Sequence, residues 1–437
     1  MKYSSYLLKF GAAALVSALL VLPACAAKQQ ATESAGDEYA GPDPDDLDYA
    51  YSEVIISPPE GDLSGNTTVF GGTADTQSAN VLYGAYTSSD ATVSKNTVTI
   101  SGGVITDSAY GAYTEGVAKN NTLTITAGKV VDRVEAGHGR TGSLENKVYL
   151  HGGSIGSLYG GYSSDGPADK NFLQVTGGRI LDDAQGGLSL RSSATGNTVQ
   201  IDGGVIEDQV YGGYGMEGPA TGNTAIVTGG IIKSDVNGAV SSTHNATGNT
   251  VILRGSPQIG RSIYGAFAVD EYGDGPDDIT GNRVLLEGFN AKLGDIWNAE
   301  EVKIDKASRL ANRDSELNFY NCRKIVNDGV IAVSARSAVF LESSAYSGKG
   351  LFELERGANI EMRGGALDAP LRIKLVSSDS AQPFSRSLAA VLSEVKYSRN
   401  VSPDKAVQLA ESRLGGLTLT LEREKSGSYE YWYVSGR

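Results

Sequence analysis

An asparagine followed by a short apolar run recurs along this chain at a nearly fixed interval, and that interval excludes most folds. It falls at Asn66, Asn96, Asn121, Asn146, Asn171, Asn197, Asn223, Asn249 and Asn282, with spacings of 30, 25, 25, 25, 26, 26, 26 and 33 residues. A strand-like unit repeated at such a period signals a solenoid, each unit forming one coil stacked on the next. Two and four residues after the Asn stand Val98/Ile100, Leu123/Ile125, Val148/Leu150, Leu173/Val175, Val199/Ile201, Ala225/Val227 and Val251/Leu253. The position between them holds Thr99, Thr124, Tyr149, Gln174 and Gln200. This period of two predicts a strand with one face inward. A Gly-Gly pair or near equivalent follows, as in Gly203-Gly204, where the chain must turn with positive φ or without a Cβ. A second short strand then points Ile105, Val130, Ile155, Ile180, Ile206 and Ile232 inward.

Each unit closes on a quartet: Tyr83-Gly84-Ala85-Tyr86, Tyr110-Gly111-Ala112-Tyr113, Tyr159-Gly160-Gly161-Tyr162, Tyr211-Gly212-Gly213-Tyr214 and Tyr264-Gly265-Ala266-Phe267, with degenerate copies at Glu135–His138, Gln185–Leu188 and Asn237–Val240. No part of the unit has the 3.6-residue period of a crossover helix. Composition agrees: 56 glycines against 12 prolines suit turn-dense β structure. The predicted fold is all-β, a parallel β-helix (solenoid) with coils of 25–26 residues over 63–299 and irregular coils over 300–370. A net charge of −14 leaves no basic face for nucleic acid. The last stretch, 371–437, reads as a small α+β capping module. It has a helix opening at Ser402-Pro403-Asp404 and running to Leu414, another over 385–396, and two strands, Leu417–Arg423 and Tyr429–Val434.

Residues 1–26 read as a secretory signal: Lys2 and Lys9, then an apolar run from Phe10 to Leu22, too short to span a bilayer comfortably. Two processing readings fit its end. Ala24-Cys25-Ala26 suits an A-x-A cleavage site, and Leu22-Pro23-Ala24-Cys25 resembles a lipobox in which Cys25 would be acylated. Residues 27–62, acidic and carrying Pro42, Pro44, Pro58 and Pro59, read as a disordered tether. Cys322 is left without a disulfide partner if Cys25 is cut away or acylated, and reads as a buried small apolar side chain.

The string Ala220-Thr221-Gly222-Asn223-Thr224, with Gly-Gly and Tyr-Gly-Gly-Tyr at fixed offsets, resembles repeats in the passenger regions of Gram-negative autotransporter-type surface proteins. Tyr431-Trp432-Tyr433-Val434 resembles the last strand of such a passenger. The resemblance implies a right-handed β-helix at or outside the outer membrane. An autotransporter continues into a translocating β-barrel, whereas this sequence ends at Arg437. The expectation is therefore a truncated passenger, or a surface lipoprotein built on the same solenoid.

Candidate chemistry is sparse. Eleven residues after each Asn lies a column containing Asp107, Asp132, Asp182 and Asp208, interrupted by Ser157 and Ser234. Carboxylates stacked about 4.8 Å apart repel unless a cation bridges them, so Ca2+ is the one ion this chain would suit. The alternative is that Asp simply fits the turn. The first tyrosines of the quartets, Tyr83, Tyr110, Tyr159, Tyr211 and Tyr264, are candidates for a contact surface, or else pack the bend. His138, His151 and His244 show no metal-ligand spacing. No acid–base cluster stands out from the repeat. The reading is an exported, non-catalytic, adhesin-like binding or structural module without a cofactor, its partner a host or bacterial surface glycan or protein. The alternative is a polysaccharide-active β-helix lyase or hydrolase.

Overall fold

The computed structural model describes residues 55–57, 63–73, 77–268, 278, 280–342, 344–376 and 383–437. The signal segment with Cys25, and the tether apart from 55–57, lie outside them. The described residues form a parallel β-solenoid of about 11 turns. One coil shows the plan. Thr198–Ile201 pairs in register with Phe172–Val175 on one side and Thr224–Val227 on the other. Val205–Ile206, Val210–Tyr211, Tyr214–Gly215 and Ala220–Thr221 stack in the same way on their counterparts in the coils before and after. The inward column is fully buried: Val199, Ile201, Ile206 and Val210 are all at 0% exposure and belong to one continuous core. Gly204 takes φ +78, as the turn after the first strand requires.

The asparagines form a hydrogen-bonded ladder inside the stack. Asn171 donates from both its backbone N and its Nδ2 to Asn197 Oδ1, at 2.9 and 3.1 Å. Asn197 does the same to Asn223, at 2.9 and 3.0 Å. The second Nδ2 proton of Asn197 goes to the Ala168 carbonyl at 2.7 Å. The amide thus satisfies polar groups that the bend would otherwise bury unpaired. The bend itself is made one residue earlier, in the left-handed region, by Gly196 (φ +65), Gly222 (φ +64) and Gly248 (φ +68), but also by Lys95 (φ +59), Glu145 (φ +56) and Lys170 (φ +55).

Both ends depart from expectation. Within the span read as tether, Ile55–Ile56 forms a parallel strand on Val81–Leu82. This strand therefore pairs a sheet edge that would otherwise be open. At the other end, the helices expected over 385–396 and 403–414 do not form, and there is no α-helix among the described residues. Phe384–Ser393 is a strand whose Ala390–Ser393 segment pairs with Ile360–Arg363. Pro403–Lys405 makes one 3-10 turn without a side-chain cap, and Val407–Leu409 then pairs with Leu371–Ile373. Local propensity lost to the unpaired backbone groups of the preceding coil. Parallel stacking thus continues into the region read as a cap. The element that covers it is a hairpin, Leu417–Ser426 with Tyr429–Gly436, antiparallel to Phe384–Ser393 and burying Trp432 and Val434 in the core. Among the described residues no helix is long and apolar enough to cross a membrane.

Candidate functional site

The quartet is where the coil folds inward. A Cβ on Gly213 would run into the Asn223 amide, and one on Gly187 into that of Asn197, so the bend presses against the asparagine ladder. It separates the main core from small clusters such as Ala220, Ala239, Ala246, Ala266 and Ala268. In the five aromatic quartets the first and fourth rings lie against each other across this bend. Ring centroids are 5.3 Å apart for Tyr110 and Tyr113, 5.8 Å for Tyr211 and Tyr214, and 5.6 Å for Tyr264 and Phe267.

Two parallel rows result. The first-position row contains the five tyrosines expected as a contact surface. Tyr211 is buried at 3% exposure, and Tyr83, Tyr110, Tyr159 and Tyr264 are half-buried. The more open row is the fourth position, with Tyr86 at 44% and Phe267 at 38% exposure at its ends. Tyr86, Tyr113, His138 and Tyr162 stack one above another in it, with centroid separations of 5.6, 4.3 and 4.7 Å. Leu188, Tyr214, Val240 and Phe267 continue it in register. Burial pushes the Tyr110, Tyr159 and Tyr162 phenols well up and that of Tyr113 up to about 12, with Glu115 and Glu135 adding to the effect at Tyr113.

One coil replaces both tyrosines with an acid and a base, an acid–base cluster that sequence reading missed. Glu135 is fully buried, in register between Tyr110 and Tyr159, and its Oε2 lies 2.7 Å from His138 Nδ1. Arg133 stands 3.7 Å from Glu135 Oε1, an oxygen with no hydrogen-bond partner, and donates to Asp132 at 3.0 Å. The sequence signal was an acid and a base at the two ends of one quartet, where the other degenerate copies carry Gln185 with Leu188 and Asn237 with Val240. It is readable only if residues three apart are known to meet across the bend.

The acidic column divides into two unlike pairs. Asp107 and Asp132 are joined by the Ser108 hydroxyl, which donates to them at 2.8 and 3.2 Å, and Arg133 neutralises Asp132. A guanidinium and a hydroxyl thus lie against the carboxylates of this pair. Asp182 and Asp208 instead converge with a third carboxylate, Asp183, their ligand oxygens lying within 4.8 Å of one another. Burial first, and then the Asp182 and Asp208 charges, holds the Asp183 carboxyl well above the usual range. Cys322 is buried, and burial pushes its thiol up to about 12, which disfavours the thiolate. Compared with known protein families and with curated proteins, the chain matches none of them.

Proposed function

We propose that the protein is an exported, adhesin-like surface module that binds its partner through the stacked row Tyr86–Tyr113–His138–Tyr162 without catalysing a reaction. The observation that carries the reading is that row, a continuous aromatic strip at coil spacing on the outside of the solenoid. Rings stacked face to face cover one another's faces, so the row presents a ridge of ring edges that suits an apolar protein edge or the apolar side of a sugar. The finer architecture proposed with it is a right-handed coil of 25–26 residues, the hand that parallel strand crossovers take. The proposed location is the outer membrane or the extracellular space, with Cys25 either acylated or removed. The partner is a host or bacterial surface glycan or protein, as the resemblance to autotransporter-type passengers suggests.

A second reading, a polysaccharide-active enzyme, draws on Glu135, His138 and Arg133. Glycosidases place two carboxyl groups on either side of the scissile bond, whereas Glu135 is fully buried and the His138 side chain is only 13% exposed. This favours a positioning role for the pair, with Glu135 holding the His138 ring in the stack. The full chain should bind members of a glycan and matrix-protein array, and Tyr113→Ala and Tyr162→Ala should each lower that binding with the fold intact. Unchanged binding in both variants would remove the aromatic strip from the proposal. Turnover of acidic polysaccharides lost in His138→Ala would establish the enzyme instead.

A further inference from the structure

The outward face of the first strand breaks its own pattern in the middle of the solenoid. One outward column runs Thr99, Thr124, Tyr149, Gln174, Gln200, and the one before it Thr97, Thr122, Lys147, Phe172, Thr198. Tyr149, Gln174 and Gln200 lie directly opposite one another in three successive coils. Phe172 and His151 both stand against Tyr149. The strands of this patch belong to a different sheet from the one that carries Tyr86, Tyr113, His138 and Tyr162.

The rings leave aromatic surface uncovered. Phe172 is 5.9 Å from Tyr149 at an interplanar angle of 53°, and the nearly parallel rings of Tyr149 and His151 are 6.4 Å apart. Parallel rings in full contact would be about 3.5–4.0 Å apart, so neither covers the face of the other. Beside them, one carboxylate holds two amides in a single orientation. Asp202 Oδ2 accepts from Gln174 Nε2 at 2.7 Å and from Gln200 Nε2 at 2.8 Å, and its Oδ1 accepts the Thr228 hydroxyl at 2.7 Å. A carboxylate only accepts, so both NH2 ends must face Asp202 and both carbonyl oxygens turn away from it. Among the described residues neither of those oxygens accepts a hydrogen bond, and Gln174 Nε2, with one bond made, keeps a second proton to donate.

We propose that this face binds a neutral glycan, with a pyranose ring on Tyr149 and Phe172 and its hydroxyls on the Gln174 and Gln200 amides. A pyranose has an apolar C–H side and a rim of hydroxyls that both donate and accept, which matches an aromatic surface flanked by amides. Stacking of the coils sets the two amides about 4.8 Å apart, so a single sugar chain meets both. Charge selects the class of sugar. All three donors on Asp202 are neutral groups, and its carboxylate repels an acidic sugar lying on the amides. Lys147 lies opposite Phe172, on the ring side of the patch. The inference does not depend on the aromatic row of the quartets.

The test titrates the purified full chain by calorimetry with hexasaccharides of glucose, galactose, mannose and N-acetylglucosamine, and with hexagalacturonate as the acidic probe. At least one neutral hexasaccharide should bind with a Kd of about 1 mM or below, and hexagalacturonate at least about tenfold more weakly. Tyr149→Ala should weaken the neutral sugar by about fivefold or more and Tyr149→Phe by less than about twofold, since the ring makes the contact. Gln174→Leu and Gln200→Leu should each weaken it by about fivefold, and they carry the test if circular dichroism shows Tyr149→Ala unfolded. Tyr113→Ala should leave this binding unchanged, which separates failure here from failure of the quartet row. The proposal would be overturned by the absence of neutral-sugar binding at about 10 mM, or by hexagalacturonate binding as tightly. Unchanged affinity in Tyr149→Ala and both glutamine variants, or an equal loss in Tyr113→Ala, would also overturn it.

Discussion

At the scale of the residue, the fold depends on an amide whose every group is used. Replacing Asn197 by Ala removes the acceptor of two donors on Asn171 and the donor to the Ala168 carbonyl. Those groups stay buried, so the loss should be about 3 kcal/mol in chemical denaturation. Asn66→Ala, at the half-buried end of the ladder, should cost less than half as much. The residue before the ladder offers the opposite sign. Lys170 holds φ +55, a conformation costing a side-chain-bearing residue about 1–2 kcal/mol, whereas the four later coils use glycine there, at Gly196, Gly222, Gly248 and Gly281. Lys170→Gly should therefore stabilise by about 0.5–1 kcal/mol after the entropy of the unfolded glycine is counted. Denaturant midpoints of the three variants, read against wild type, check both signs.

At the scale of the element, the quartet bend should make the protein sensitive to alkali. The phenols of Tyr110, Tyr113, Tyr159, Tyr162, Tyr211 and Tyr214 are all raised, chiefly by burial. In the unfolded chain they ionise near pH 10. An acid whose folded pKa is raised binds its proton more tightly in the native state, so stability falls as pH climbs above about 10. The tyrosinate absorbance of these six should stay absent past that point and then appear together with loss of the β signal. The bend also marks the limit of what was legible in the sequence. The strand with Val199 and Ile201 inward and the Asn column could be read because a parallel coil copies each position onto its equivalent in the next. The Glu135–His138 contact could not, because it forms within one coil, across a turn whose direction depends on the Asn side chain beneath it. Asp183 was missed because only the column holding Asp182 and Asp208 was read, whereas its carboxylate lies within 4.8 Å of theirs. The helices expected near 385–396 and 403–414 failed where an open strand edge outbid local propensity.

At the scale of the whole solenoid, equivalence between coils has a genetic consequence. Asn223 and Asn249 are 26 residues apart and chemically interchangeable in the ladder. Deleting residues 224–249 joins Asn223 directly to Thr250, so every remaining pair stays in register and the neighbouring interfaces are replaced by similar ones. That variant should remain folded, with an unchanged β spectrum and a cooperative melt. Deleting only 224–236 shifts inward residues to the outside and should give an aggregating chain. Monodispersity on a sizing column separates the two results.

The hydrogen bonds between coils, including the asparagine ladder, all run along the direction in which the coils are stacked. A pull applied along that direction loads the coil interfaces in series, so each carries the full force and the weakest yields first. Each released coil of 26 residues gives roughly 80 Å of slack at about 3.3 Å per residue. Under tension such a stack lengthens in increments and limits the force it transmits, the behaviour of a shock absorber rather than of a rigid strut.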